Sequence, residues 1–314
     1  MRRFLASLLA LGALLFVLDR AIGSGMAALF RSSASEEDGD TFGRAFRAQP
    51  GIVICGSSRA MHHYVADSLG AALGIRVYNL GRDGSWGALY EYGAASMVLR
   101  HGKPRLWIME ADRDLYSGKE RLDYLSCFLP YAEDEPAAAE VAILRSRWER
   151  IRMLSRIYPY NAMLVSLLAP RLGKIVHPRD GYLELTGVMS ADTSAAGVAP
   201  STPPDFSVDS LKIKYLRRTV ALLKERGVRV VAVRSPTFLA GEAVRAQDRR
   251  KGEDVARVLG DLTVKYFDFN VLDHPEFAAE SLYFDAEHLN GTGALRFTRA
   301  LEDSIQFYLA QTTR

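Results

Sequence analysis

Cysteine is nearly absent. Cys55 and Cys127 are the only two in 314 residues. Two thiols make no disulfide framework, and neither stands in a metal-ligand spacing. Cys55 ends a very apolar run, which predicts a buried free thiol; a Cys55–Cys127 bridge is the alternative in an oxidising compartment. Nucleotide-binding loops are lacking as well. Gly81, Gly84 and Gly87 fit neither G-x-G-x-x-G nor a P-loop. An excess of one charge is also missing: 40 basic against 37 acidic side chains leave +3, which gives nucleic-acid binding no support. Asp112 and Asp114 have no histidine or cysteine cluster beside them, so neither a metal nor a cofactor is expected. No internal repeat is visible.

What is present is ordinary globular material at one end and an export pattern at the other. Apolar residues make up 48% and charged residues 25%, enough for a sizeable core and too apolar for disorder. Arg2 and Arg3 precede a largely apolar run from Phe4 to Leu18, which Asp19 and Arg20 end. A basic start followed by such a run is an export signal. Residues 21–30 are again mostly apolar and complete a span if Asp19 and Arg20 lie near an interface. No clear A-x-A site follows, which favours an uncleaved anchor over 1–30, with the arginines inside and the remainder extracytoplasmic, in the periplasm. The alternative is a buried N-terminal helix of a cytosolic protein. Residues 31–49 are polar and read as a linker.

From residue 50 onward, short apolar runs alternate with helical stretches. Strand signals lie at Gly51–Cys55, Arg76–Asn79, Arg105–Met109, Val228–Val233 and Lys265–Phe269. Helices are predicted over 86–101, 208–226 and 291–311, with Gly102 and Gly227 past the ends of the first two and Asn290 capping the third. This rhythm predicts an α/β domain over 50–314, with a central parallel sheet of about five strands covered on both faces. Residues 115–205 break the rhythm and read as an insertion over one sheet edge. Within them, Arg145, Arg147, Arg150, Arg152 and Arg156 form a basic run. A solvated helix face is its plain reading, and contact with anionic lipid or an acidic polymer is the other.

Open parallel sheets bind ligands at the carboxyl ends of their strands. Four polar segments fall there or just before the last helix: Gly56-Ser57-Ser58-Arg59, Asn79 to Gly84, Glu110-Ala111-Asp112, and Phe284 to Asn290. A serine at a strand-to-helix turn projects its hydroxyl from the sheet, and the helix N-terminus favours developing negative charge. His288 is the natural base for it. Asp285, three residues earlier, is placed to orient the imidazole. Gly81 has no side chain to keep its N–H from an oxyanion. Alone, Ser58 would read as a helix cap and His288 as a surface histidine; together with Gly81 they form an ordered set. His62 and His63 read as structural neighbours of Ser58. His274 follows an aspartate directly, which makes it a poor rival for the base.

These segments resemble the blocks of the SGNH/GDSL hydrolase superfamily. Gly56-Ser57-Ser58 is similar to its Gly-Asp-Ser block with Ser57 in place of aspartate, Gly81 after Asn79-Leu80 resembles the oxyanion glycine of its second block, and Asp285-Ala286-Glu287-His288 resembles its D-x-x-H block. The third block departs from the pattern: Glu110-Ala111-Asp112 carries no asparagine, and a carboxylate donates nothing unless protonated. Arg59, Arg82 or Arg113 is the electrostatic substitute. The resemblance implies a three-layer flavodoxin-like fold and a Ser58–His288–Asp285 triad, with Gly81, Arg59 and Asp112 around the oxyanion and substrate. The N-terminal anchor makes the chain similar to membrane-bound members that act on cell-envelope polymers, such as lipoteichoic-acid D-alanylation and exopolysaccharide O-acetylation proteins. It implies an esterase or O-acyltransferase, with an acylated saccharide, polymer or lipid as substrate and a membrane-bound acyltransferase as a possible partner. The non-enzymatic alternative is a catalytically weak carbohydrate-binding or accessory protein.

Overall fold

Ile52, Val53, Ile54 and Cys55 are wholly buried, as a strand flanked by others and covered on both faces must be. This strand is the centre from which the domain is laid out in the computed structural model, which describes residues 1–34, 41–84, 87–118, 122–163, 180–189 and 207–311. In chain order the elements are α1 (Arg2–Ala34), α2 (Thr41–Ala48), β1 (Ile52–Cys55), α3 (Ser58–His63), α4 (Ala66–Leu73), β2 (Val77–Asn79), α5 (Ala88–His101) and β3 (Leu106–Glu110). Then follow α6 (Pro136–Ala142), α7 (Glu149–Arg152), α8 (Ser210–Glu225), β4 (Arg229–Arg234), α9 (Glu242–Asp261), β5 (Lys265–Asp268) and α10 (Gly291–Gln311). They divide into two compact units, Met1–Arg44 with Leu122–Val176, and Ala45–Arg121 with His177–Arg314.

The larger unit is α/β, built on five parallel strands in the order β2-β1-β3-β4-β5. Alternate side chains divide between the faces. Ile52, Ile54, Leu106, Ile108, Val231 and Val233 pack with Leu69 of α4 and Phe297, Leu301 and Ile305 of α10. On the other face the Trp107 indole N–H donates to Glu91 of α5 at 3.0 Å. There α5 lies against α8, with the Tyr92 and Tyr215 rings 5.1 Å apart. Asn290 caps α10 as expected: its Oδ1 accepts the Gly293 N–H at 3.0 Å. Cys55 and Cys127 are both free thiols.

One helix of this unit escapes the sequence reading. The stretch from Glu242 to Asp261 is dominated by charge, and one position on its inner face is an acid. Asp248 is buried beside Val255 and Leu259 of the same helix, because its carboxylate takes Nη1 and Nη2 of Arg234 at 3.0 and 3.1 Å. A buried ion pair thus occupies a position where periodicity looks for an apolar side chain. At the sheet edge, the Asn79 N–H of β2 donates to the Asp180 carbonyl at 2.8 Å, so the chain returning from the insertion takes up the strand's free donor.

The smaller unit is built around α1, 33 residues long and so about 50 Å at 1.5 Å per residue. It is long and apolar enough to be a membrane anchor or a signal sequence. Its first half stands exposed, with Phe4, Leu9, Leu15 and Val17 all at least half accessible. Its second half is packed: Met26, Ala27 and Phe30 are buried with Tyr160, against Tyr131, Ile157 and Met163. Gly23 permits that approach, since a Cβ there would come within 2.6 Å of the Arg156 carbonyl oxygen.

The expected linker over 31–49 needs correction. Helix α1 continues to Ala34, and Thr41–Ala48 is itself a helix. Its residues Phe42, Ala45 and Ala48 are buried on one face, and Phe42 meets the rings of Phe128 and Tyr131. A polar composition hid an apolar stripe of three residues. Residues 35–40 lie outside the described residues, as do 164–179 and most of the Gly-, Ser-, Thr- and Pro-rich stretch at 187–204.

Candidate active site

The strand order reverses direction at β1, which has β2 on one side and β3 on the other. Chains leaving neighbouring strands in opposite directions open a crevice at the carboxyl edge. The turn after β1 carries Gly56, Ser57 and Ser58 into it. Gly56 is required there: a Cβ would stand 2.6 Å from the Glu110 Cβ at the end of β3. Ser58 is the first residue of α3, so its N–H has no carbonyl one turn earlier to bond.

Ser58, His288 and Asp285 come together. Ser58 Oγ lies 2.8 Å from His288 Nε2. His288 Nδ1 faces both Asp285 oxygens, at 2.9 and 3.0 Å. A carboxylate accepts only, so Nδ1 carries the ring proton and Nε2 is free to accept from the hydroxyl. Asp285 Oδ1 also accepts the N–H groups of Glu287 and His288, each at 2.8 Å. Burial pushes the Asp285 carboxyl up, but the His288 ring and these N–H donors outweigh it and hold the group below its usual range. The turn is closed by Phe284 N–H to the His288 carbonyl, 2.9 Å. A hydroxyl bonded to an imidazole oriented in this way can pass its proton to that ring as it attacks an electrophilic carbon.

The His288 turn is held from behind by a buried relay that sequence reasoning did not find. His63 Nε2 accepts the Leu289 N–H at 3.0 Å, so its proton sits on Nδ1, which donates to Ser235 Oγ at 2.8 Å. Ser235 Oγ in turn donates to Glu110 Oε1 at 2.9 Å. Burial, together with the nearby Arg59 and His288, pushes the His63 pKa well below its ordinary value. The adjacent His62 behaves in the opposite way. Its two ring nitrogens face acceptors, Leu183 O at 2.7 Å and Asp83 Oδ1 at 2.9 Å. Burial opposes its charge, but the bonds to Asp83 and Leu183 prevail and raise its pKa. Its ring meets that of His288 edge-on, centroids 5.7 Å apart. The spacing of Ser58 and His62, four residues apart on one helix face, was the available signal.

The predicted oxyanion groups fare unevenly. Gly81 is not free for that role: its N–H donates to Asn79 Oδ1 at 2.8 Å. Its lack of a side chain serves packing, because a Cβ would stand 2.7 Å from Met61 Cα in α3. Asp112 accepts at both oxygens, from the Arg113 N–H at 2.6 Å and from Arg59 Nη2 at 3.0 Å. Arg59 also reaches Glu110 Oε1 at 3.0 Å. Its guanidinium, nearly fully buried, therefore spans the segment where an asparagine was sought. Burial raises the Asp112 carboxyl, but the facing Arg59 cation prevails and lowers it. For Glu110 burial wins and the pKa rises, despite the same cation. The decoy His274 pairs with Glu276 at 3.1 Å.

Ser58 opens onto a pocket of about 430 Å³. Arg59, Asp112, Lys251 and Gln247 give it polar walls, with Phe238 and Leu239 on an apolar side. Glu91 also borders it. Burial pushes that carboxyl up to about 7, only partly offset by its bonds to Trp107 and Cys55. Neither any family model nor any curated protein matches this chain.

Proposed function

We propose that the chain is an extracytoplasmic serine esterase or O-acyltransferase of the SGNH type, acting on acyl esters of a cell-envelope glycan or lipid. The observation that carries this reading is the continuous Ser58–His288–Asp285 hydrogen-bond chain at the mouth of a pocket. The five-strand order 2-1-3-4-5, common to flavodoxin-like sheets, supports the SGNH fold. The exposed apolar first half of α1 supports attachment to a membrane.

In this mechanism Ser58 Oγ attacks the ester carbonyl carbon as its proton moves to His288 Nε2. Asp285 stabilises the imidazolium that forms. The Ser58 N–H at the start of α3 and the buried Arg59 cation meet the negative charge on the carbonyl oxygen. The carbon–oxygen bond to the leaving alcohol breaks, and His288 returns the proton to that alcohol. The acyl-serine is then attacked by water or by an acceptor hydroxyl, with His288 again taking the proton; the bond from Ser58 Oγ to the acyl carbon breaks, and His288 returns the proton to Oγ as the acid or the new ester leaves. The polar walls suit a hydroxyl-rich alcohol, and a membrane-bound acyltransferase is the natural supplier or receiver of the acyl group.

A second reading, a catalytically weak carbohydrate-binding or accessory protein, draws on the engaged Gly81 N–H and the acceptor-only Asp112. One measurement separates the two. A fluorophosphonate probe should label the folded protein at Ser58, and both Ser58→Ala and His288→Ala should abolish or sharply slow labelling. An unlabelled wild-type protein, or labelling that survives Ser58→Ala, overturns the enzymatic reading.

A further inference from the structure

The basic run of the insertion is folded around a single buried acid. Glu149 accepts from Arg145 at 2.6 Å, Arg152 at 3.5 Å and the Tyr158 hydroxyl at 2.5 Å. With Glu149 turned inward, no acidic side chain of residues 145–157 faces out. The outward side carries Arg147, Trp148, Arg150, Ile151 and Leu154, all exposed. Trp148, Ile151 and Leu154 are 50%, 58% and 67% accessible, a cluster of large apolar side chains that water does not favour. Arg147 lies over the Trp148 ring, 5.0 Å from its centre. Among the described residues neither Arg147 nor Arg150 has an ion-pair partner, whereas the nearby acids Glu133 and Asp134 are taken by Arg156 and Arg31.

This turn is fastened to α1 at one level. Asp19 accepts from Ser155 Oγ at 2.5 Å and from the Arg156 N–H at 2.9 Å, and Arg20 donates to the Leu154 carbonyl. A helix needs about 20 residues to cross a bilayer. Counted from Arg2, that length ends within one turn of Asp19 and Arg20. The turn therefore stands at the level where α1 leaves the hydrocarbon, beside the exposed Val17, Leu18 and Ile22. A tryptophan and two aliphatic side chains flanked by unpaired arginines suit that boundary, where the indole sits among headgroups and guanidinium groups meet lipid phosphates.

We propose that residues 147–154 form a second membrane contact, with Trp148, Ile151 and Leu154 entering an anionic bilayer interface and Arg147 and Arg150 binding its phosphates. This contact rests on the reading of α1 as a membrane span and adds an orientation to it: one span leaves the unit free to rotate, and two contacts do not.

The test uses the full chain reconstituted into phosphatidylcholine vesicles with and without phosphatidylglycerol, part of the lipid being brominated high on the acyl chain. Trp148 emission, taken as the difference between wild type and Trp148→Phe, should be strongly quenched, and more so with phosphatidylglycerol. Trp107, wholly buried in the sheet, should not be quenched. Replacing Arg147 and Arg150 by serine should weaken docking about fivefold for each arginine. Protein that floats with the vesicles while Trp148 stays unquenched overturns the proposal and leaves the anchor intact; it would point to a protein partner or a second copy on this face. Equal quenching in both lipids overturns the preference for an anionic interface assigned to Arg147 and Arg150. Protein that does not float at all overturns the anchor reading, and the proposal with it.

Discussion

The two compact units of this chain place their polar groups in opposite ways. The sheet unit concentrates them: Glu110, Ser235, Arg59 and His63 are buried together at the carboxyl edge of the strands and bonded to one another, with Arg234 next to Ser235 held by the buried Asp248. In the α1 unit they stand apart: Glu149 is buried among Arg145, Arg152 and the Tyr158 hydroxyl, and α1 itself is fastened at Asp19, which takes the Ser155 hydroxyl and the Arg156 N–H. A dense network orients groups that must meet within tenths of an ångström, as a proton-transfer site requires. A single staple sets a level along a helix and leaves the rest to apolar packing. Substitutions therefore divide into those that act on chemistry, those that act on stability and those that act on docking alone.

The largest effect is expected at the site. Asp285→Asn leaves the turn in place but presents the wrong tautomer to Ser58, so kcat on a short-chain nitrophenyl ester should fall by about 10⁴-fold. An unchanged kcat would remove Asp285 from the triad. Next comes the buried ion pair behind the site. Asp248→Ala leaves the Arg234 guanidinium with Asp268 at 2.8 Å as its one charged partner among the described residues, beside the retained carbonyl of residue 248, and urea unfolding should show a loss of about 3–5 kcal/mol. In the α1 unit the corresponding change is smaller. Asp19→Ala leaves the Arg156 N–H and the Ser155 hydroxyl without this acceptor, at a position water can reach. The loss should appear as faster amide exchange over 155–157, with ester hydrolysis unaffected. Slowed hydrolysis would mean that the two units are coupled.

The smallest effect lies in the neighbouring histidines. The folded pKa of His62 is raised above the ordinary imidazole value. Its contribution is complete below that value and is lost as pH rises through the raised one. The folded pKa of His63 is depressed, so the native state loses stability as pH falls below the unfolded value. The stability gap between wild type and His62→Gln should therefore shrink in alkaline buffer, and the gap to His63→Gln should shrink in acid. Gaps that do not change with pH would remove the charge assigned to His62 and the neutrality assigned to His63.

Much of the sheet was legible because each strand is a short apolar run ending in polar or glycine residues, a local property. All five predicted strands are present with ends shifted by about one residue, within ordinary boundary scatter. The triad was partly legible for the same reason: Asp285 and His288 are three residues apart and share one turn. What was not legible depended on partners distant in the chain. Helix α9 was hidden because Asp248 takes an inward position to meet Arg234. Helix α2 was hidden because only three small or aromatic positions define its inner face. The engaged N–H of Gly81 could not be read from Asn79-Leu80-Gly81, since nothing in those residues says that the Asn79 amide turns back onto the glycine.

Spacing within a few residues thus specifies the parallel strands, the apolar N-terminal helix and the Asp285–His288 pair. Long-range packing is what brings Ser58, 230 positions from His288, within hydrogen-bond reach of it. Packing also sets the tautomers of His63 and His288, the engagement of the Gly81 N–H by Asn79, and the level on α1 at which the insertion is fastened. A hydrogen bond forms only when donor and acceptor meet in both distance and direction, and residues far apart in sequence acquire both through packing alone.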